Sequence, residues 1–301
     1  MRVVTVATHS ERYYPVLQEA CKRHNVKLDV LGFEQKWQGF TWRLNLMNDY
    51  IQKLDDNEIV MFVDGFDTVI VQDVHVIEDT FKSFNKPLVF SYERESEYFM
   101  VAYGQRKLFG PIYDSVYISA GMYIGYVHAL KQLYSKLREK STYQLEADDQ
   151  RIISELLRAK SLDFTIDVEN KLFVNVFNGN HANSTIKLKD NDYLNVNTGG
   201  VIVNKKTGIP PCVIQGPGRT NINEVLCHLG YSNLIKDIDV STSSSNLILW
   251  HIKNHAKYFI PETIIGLILV ILIVYLLYVA SRYVIYPSLT NVYINTFNNI
   301  L

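Results

Sequence analysis

The sequence predicts an α/β protein: a mostly parallel sheet with helices on both faces. Three observations predict it. Apolar, β-branched runs alternate with segments of helical period through the first two-thirds of the chain. One run, Ile59-Val-Met-Phe-Val63, is apolar at every position, as a strand covered on both sides must be. With 301 residues, 48% of them hydrophobic, the chain can bury a full core.

Taken in order, Val3 to Ala7 reads as a strand, Tyr14 to His24 as a helix, Lys27 to Leu31 as a strand, Thr41 to Leu54 as a helix and Ile59 to Val63 as a strand. Leu88 to Ser91 and Val116 to Tyr126 continue the strands; Leu130 to Glu139 and Gln150 to Lys160 continue the helices. Val201 to Val203 and Cys212 to Ile214 are expected to form a late hairpin around Lys205 to Gly208. Residues 1–235 thus form one domain, and a Ser/Thr-rich stretch marks 236–261 as linker and membrane-proximal segment.

Ile264 to Ala280 is continuously apolar, with Tyr258, Phe259, Tyr283 and Tyr286 at its flanks, so residues 262–281 are expected to cross a membrane once. Lys253 and Lys257 precede the run and only Arg282 follows it, which places the large N-terminal domain in the cytosol and the 282–301 tail across the membrane. Nothing at the N-terminus reads as a basic segment followed by an apolar one. In that orientation the Asn183-Ser-Thr185 sequon stays unglycosylated.

Lys and Arg total 30 against 31 Asp and Glu, which excludes a global field for nucleic acid. Cys21, Cys212 and Cys227 lack metal-ligand spacing and suit a reducing compartment, although Cys212 and Cys227 could pair. His9, His24 and His75 are isolated and read as surface or turn residues. His251 and His255 stand four apart but lack the glutamate of a zinc-protease helix.

The apolar strand ends at Asp64-Gly-Phe-Asp67, so two carboxylates emerge at the carboxyl end of a central strand, where open α/β sheets bind ligands. Such oxygens suit Mn²⁺ or Mg²⁺, and Gly65 permits the bend that aims both at one point. The plainer alternative is an Asp-Gly turn whose carboxylates satisfy backbone amides. A second acidic pair, Asp148 and Asp149, precedes the helix near Gln150, where either can cap it.

Six ordered stretches resemble the glycosyltransferase domain of procollagen lysyl hydroxylases and the related collagen galactosyltransferases. They are Val3-Val-Thr-Val-Ala-Thr8; Val30-Leu-Gly32 with Trp37 and Gly39; Val60-Met-Phe-Val-Asp-Gly-Phe-Asp67; Val89-Phe-Ser-Tyr-Glu93; Tyr117-Ile-Ser-Ala-Gly-Met-Tyr-Ile-Gly125; and Asp148-Asp-Gln150. The resemblance runs from Met1 to about Tyr231. It implies a GT-A type, Rossmann-like fold that transfers glucose or galactose from a UDP-sugar to an acceptor hydroxyl of hydroxylysine or glycan type. Position by position it assigns Thr8 and Phe66 to the uridine, Asp64 and Asp67 to the metal, and Asp148 and Asp149 to the sugar or acceptor.

Departures accompany the matches. Where the family has His-Gly-Asn-Gly-Pro-Thr-Lys, this chain has Gln215-Gly-Pro-Gly-Arg-Thr-Asn221. Gln215 then offers the metal a neutral amide oxygen, while Gly216, Gly218 and Arg219 face the diphosphate. A family lysine becomes Thr41, with Arg43 close by as a second cation for the donor, and the family's tryptophan is missing between Glu93 and Tyr98. Two readings stay open: a membrane-anchored, metal-dependent hexosyltransferase, or a degenerate transferase fold acting as a membrane-bound nucleotide-sugar-binding scaffold.

Overall fold

Strand β1 (Arg2–Val6) pairs in parallel with β2 (Leu28–Leu31) on one side and β3 (Ile59–Val63) on the other, and α1 (Tyr14–Arg23) and α2 (Phe40–Ile51) make the crossovers. A parallel pair needs such a crossover because its strands run the same way. This computed structural model describes residues 1–97, 99–140, 143, 148–176, 185–236 and 264–279, without the side chains of Met100 and Arg219. The chain divides into two units, Met1–Asn246 and Leu247–Leu301.

In the first unit the main sheet continues through β5 (Leu88–Arg94), β6 (Val116–Tyr126) and β7 (Thr165–Asp167), in the order β2-β1-β3-β6-β5-β7. Only β6 runs against its neighbours, so the sheet is mostly parallel as expected. Alternation along β3 splits the core. Met61 and Val63 face one cluster with Val16, Leu17, Ile77 and Phe81, while Val60 and Phe62 face the other with Leu44, Met47, Leu133 and Ile153. Each fully buried side chain of this size contributes about 1.5–3 kcal/mol. Helices α3 (Val74–Ser83) and α5 (Val127–Glu139) supply these faces, together with α6 (Asp149–Arg158); α4 (Phe99–Leu108) follows β5.

The late hairpin does not form. β10 (Ile202–Asn204) pairs with β9 (Leu194–Val196), whereas β11 (Val213–Gln215) joins a separate three-stranded sheet between β4 (Thr68–Ile70) and β8 (Phe173–Asn175). The Lys205 to Gly208 turn is present: the backbone N–H of Lys206 and of Thr207 donate to Asn204 Oδ1, and the Asn204 N–H donates to the Ile209 carbonyl at 2.8 Å, but β11 beyond it pairs with β4 and β8 instead of β10. Helix α7 (Asn223–His228) closes the unit. All three cysteines are free, with Cys212 buried and Cys227 exposed, so the pairing left open between them is not made.

Of the second unit the described part is a helix over residues 264–279, and its large apolar side chains from Ile264 to Tyr278 are exposed, from 49% at Leu272 to 65% at Leu277. Its length corresponds to about 24 Å at 1.5 Å per residue, short of the roughly 30 Å of a bilayer core. Among the described residues no helix is long and apolar enough to cross a membrane. The remainder of the expected span, the 282–301 tail, Asn183, His251 and His255 lie outside the described residues.

Candidate active site

β3 is hydrogen-bonded along its length to β6, and the backbone N–H of Asp64 donates to the Gly121 carbonyl at 2.8 Å as the strand ends. Asp64 and Asp67 therefore leave the sheet at the carboxyl end of its central strand, as a ligand-binding turn requires. Gln215 reaches them from 148 residues away, because β11 pairs with β4 so that Gln215 stands opposite Thr68. Its Nε2 donates to Asp67 Oδ1 at 3.0 Å and more weakly to Asp64 Oδ2 at 3.3 Å. Its Oε1 is buried and has no hydrogen-bond partner among the described residues. Gly121 makes the space: a Cβ there would lie 2.8 Å from both Asp64 Oδ2 and Gln215 Oε1, and against Nε2 as well.

Arg43, in the first turn of α2, closes the cluster from the other side. One arm of its guanidinium donates to Asp64 Oδ1 at 2.5 Å and the other to Asp149 Oδ2. Its carbon also lies 5.0 Å from the Phe40 ring centroid and 5.3 Å from that of Phe62. Burial opposes its charge, but Asp149 and Asp64 more than offset that, and its pKa is raised. Burial also raises the Asp64 carboxyl; Arg43 counters it, while Asp67 and Asp149 add to the rise. The Asp64 side chain remains 29% exposed, so water limits the effect. Asp67 is raised by burial too, against the Gln215 hydrogen bond and the Arg12 charge.

The two members of the second acidic pair separate. Asp148 is the N-cap of α6, accepting from the Arg151 backbone N–H at 3.3 Å, whereas Asp149 faces Arg43. Gln150 fixes this helix end. The pairing of β5 with β6 slips between Phe90 and Ser91, so the Ala120 N–H is free to donate to Gln150 Oε1 at 3.3 Å, while Gln150 Nε2 donates to Glu93 Oε2 at 2.9 Å. Gln105 Nε2 donates to Glu93 Oε1 at 3.1 Å. Burial pushes Glu93 up to about 7, only partly countered by these neutral amides. Sequence reasoning did not single out Glu93, Gln105 or Gln150 as site residues; a glutamate ending an apolar strand was the available signal.

The other expected residues make local contacts of their own. Thr8 shares a 2.8 Å hydrogen bond with His9, whose ring lies 5.6 Å from that of Phe66. The Gly216 N–H donates to the Asp67 carbonyl at 2.8 Å, and a Cβ on Gly216 would meet Ile222 Cγ2 at 2.8 Å. Gly218 takes a φ of 61° in the turn Pro217–Arg219, with open space where a Cβ would stand. The Arg219 side chain lies outside the described residues.

Comparison with known proteins finds relatives of low identity. The chain is 26% identical over 255 residues to the "Multifunctional procollagen lysine hydroxylase and glycosyltransferase" of Caenorhabditis elegans, covering 76% of this chain and 32% of that protein. It is 25% identical over 242 residues to a "Procollagen-lysine,2-oxoglutarate 5-dioxygenase" of Drosophila melanogaster, covering 74% of this chain and 31% of that one. A bovine protein, "Procollagen-lysine,2-oxoglutarate 5-dioxygenase 1", is 21% identical over 190 residues, 58% of this chain and 25% of the relative. The chain thus spans about a third or less of the length of these curated relatives. Residues 1–237 match the family described as PLOD GT domain, and the chain belongs to that family of lysyl hydroxylase glycosyltransferase domains.

Proposed function

We propose that this chain transfers a hexose, glucose or galactose, from a UDP-sugar to an acceptor hydroxyl with the help of a divalent ion. The observation that carries the reading is the convergence of Asp64, Asp67, Asp149, Arg43 and Gln215 at the end of β3, with a buried, unpartnered Gln215 Oε1 among them. Among the described residues no three His, Cys, Asp or Glu side chains gather to hold a metal ion. Here the third donor is an amide. Turning the Gln215 amide about its last bond sets Oε1 toward the same two carboxylate oxygens, and three oxygens around one point suit a hard cation. Asp64, Asp67 and Gln215 would hold it, and Mn²⁺ or Mg²⁺ supplies positive charge against a leaving diphosphate.

The protein's own groups have separable tasks. Arg43 fixes the orientation of Asp64 and Asp149 together, so the donor end and the acceptor end of the site move as one. Asp149 accepts from a sugar hydroxyl or takes the proton of the acceptor hydroxyl. Phe66 and Thr8 serve the uridine, Gly218 with open space in place of a Cβ lets backbone amides approach the diphosphate, and Gly216 holds that loop against Asp67. The names of the relatives favour a hydroxylysine-type acceptor, with a glycan as the alternative. The apolar exposure of the helix from Ile264 to Tyr278 supports a single membrane anchor, and Lys253 and Lys257 before the apolar run, against Arg282 after it, favour the N-terminal domain on the cytosolic side.

One observation favours the scaffold alternative: the Arg43 guanidinium and the Gln215 amide between them already partner both turn carboxylates. The readings separate by calorimetry with UDP and Mn²⁺, together with hydrolysis of a panel of UDP-sugars. Asp64→Asn and Asp67→Asn should each lower Mn²⁺-dependent UDP affinity tenfold or more, about 1.4 kcal/mol, with the fold intact. Equal UDP affinity in the wild type and both variants, with and without Mn²⁺, would refute the metal site.

A further inference from the structure

Arg12 lies in the turn between β1 and α1, with its backbone in the left-handed region at a φ of 48°. A side-chain-bearing residue is disfavoured there, so something must hold it. The turn is tied to both halves of the site. The Tyr13 N–H donates to the Phe66 carbonyl at 3.3 Å, the Ile222 N–H donates to the Tyr13 hydroxyl at 3.2 Å, and that hydroxyl donates to Asn223 Oδ1 at 2.7 Å. Arg12 therefore sits in the seam between the metal-strand turn and the segment that follows Gly216 and Gly218. Its guanidinium carbon is 5.6 Å from the Tyr13 ring centroid, and its charge pulls down the Asp67 carboxyl against the effect of burial.

Arg12 Nε and Nη2 are shielded from solvent and have no hydrogen-bond partner among the described residues. These two nitrogens form one edge of the guanidinium, with parallel N–H bonds that match two oxygens of a single phosphate or carboxylate. Arg43 contrasts with it, since both its arms are spent on carboxylates. A buried charged donor without an acceptor is costly, and the cost is recovered when an anion with paired oxygens arrives. The turn carboxylates themselves do not use this edge: Asp64 is bonded by Arg43 and Gln215, and Asp67 by Gln215 and Thr68.

We propose that Arg12 is an anion-binding residue of the donor site, its Nε and Nη2 edge taking two oxygens of the donor's diphosphate. This rests on the UDP-sugar reading above and adds to it a cation from the β1 loop. Charge favours the assignment, because a diphosphate brought beside Asp67 meets a carboxylate and needs a fixed positive group on the same side.

Calorimetry on the full chain with UDP and with uridine, in the presence and absence of Mn²⁺, tests it in Arg12→Gly and Arg12→Lys. Glycine is suited to the φ of 48° and removes the fork. The expected result is a fall in UDP affinity of tenfold or more, about 1.4 kcal/mol, with uridine affinity changed less than about twofold. Arg12→Lys, which keeps the charge without the fork, should recover part of the loss; full recovery would overturn the two-point contact. A UDP-to-uridine ratio equal to that of the wild type in Arg12→Gly, or a parallel loss of both ligands, would overturn the proposal and leave Arg12 as a counter-charge of Asp67. A wild type that binds UDP no better than uridine would overturn this inference and the donor reading together. An unchanged ratio in Arg12→Gly on a wild type that prefers UDP removes the inference alone.

Discussion

The molecule carries two acidic pairs, and it uses them differently. Asp64 and Asp67 both enter the site, because the backbone leaves β3 in a turn and each carboxylate meets a donor from another element. Asp148 and Asp149 are adjacent in sequence yet part company: one closes the first turn of α6 and the other is drawn inward by Arg43. What a carboxylate does here depends on which orphan donor lies nearest. At a strand end the nearest donors are side chains from across the sheet; at a helix start one of them is the helix's own N–H.

The largest expected effect falls on the residue that joins the two pairs. Arg43→Ala leaves Asp149, which is only 6% exposed, without its guanidinium, and should cost about 3–5 kcal/mol of unfolding free energy by urea titration. Adding Asp149→Asn in that background should restore part of it. A loss below about 1 kcal/mol would show that the pairs are not coupled through Arg43.

Glu93 sharpens the contrast from another direction, since it is a half-buried carboxylate that accepts from two neutral amides. Its folded pKa of about 7 lies above the ordinary 4.5, so the folded state favours the protonated form. The stability tied to it is therefore present below about pH 4.5 and is lost as pH rises through about 7. Glu93→Gln should flatten the pH dependence of stability across that window and exceed the wild type by about 1–3 kcal/mol near pH 8. Parallel pH profiles for the two proteins would mean that Glu93 is ionised in the fold without penalty.

The smallest effect separates the adjacent aspartates. Asp148→Ala removes a helix cap and should cost about 1 kcal/mol in thermal or urea unfolding, with UDP affinity changed less than about twofold. A drop in UDP affinity as large as that of the Asp64→Asn variant would place Asp148 in the site beside its neighbour.

Much of the first unit was legible because its strands are short, apolar and bounded by polar turns. Ile59 to Val63 and Val116 to Tyr126 coincide with β3 and β6, and the other predicted strands and helices of the main sheet lie within a few residues of those observed. The pattern failed where elements are too short to show a period. The strands β4, β7, β8 and β9 have three residues each, and pairing rather than sequence defines them. Helix α3 went unread although Ile77 and Phe81, four apart, are its buried positions.

The sequence by itself determined that an apolar strand ends in two carboxylates and that another acidic pair opens a helix, because local composition and turn chemistry decide such things. It could not determine that Gln215 bridges the first pair, that Arg43 binds one member of each, or that Arg12 keeps an edge without a partner among the described residues. Those contacts join residues up to 151 apart and depend on sheet register, on the slip between β5 and β6, and on the room left by Gly121. Tertiary structure decided them because a buried charge must find its partner wherever packing brings one within about 3 Å, not where the chain order suggests.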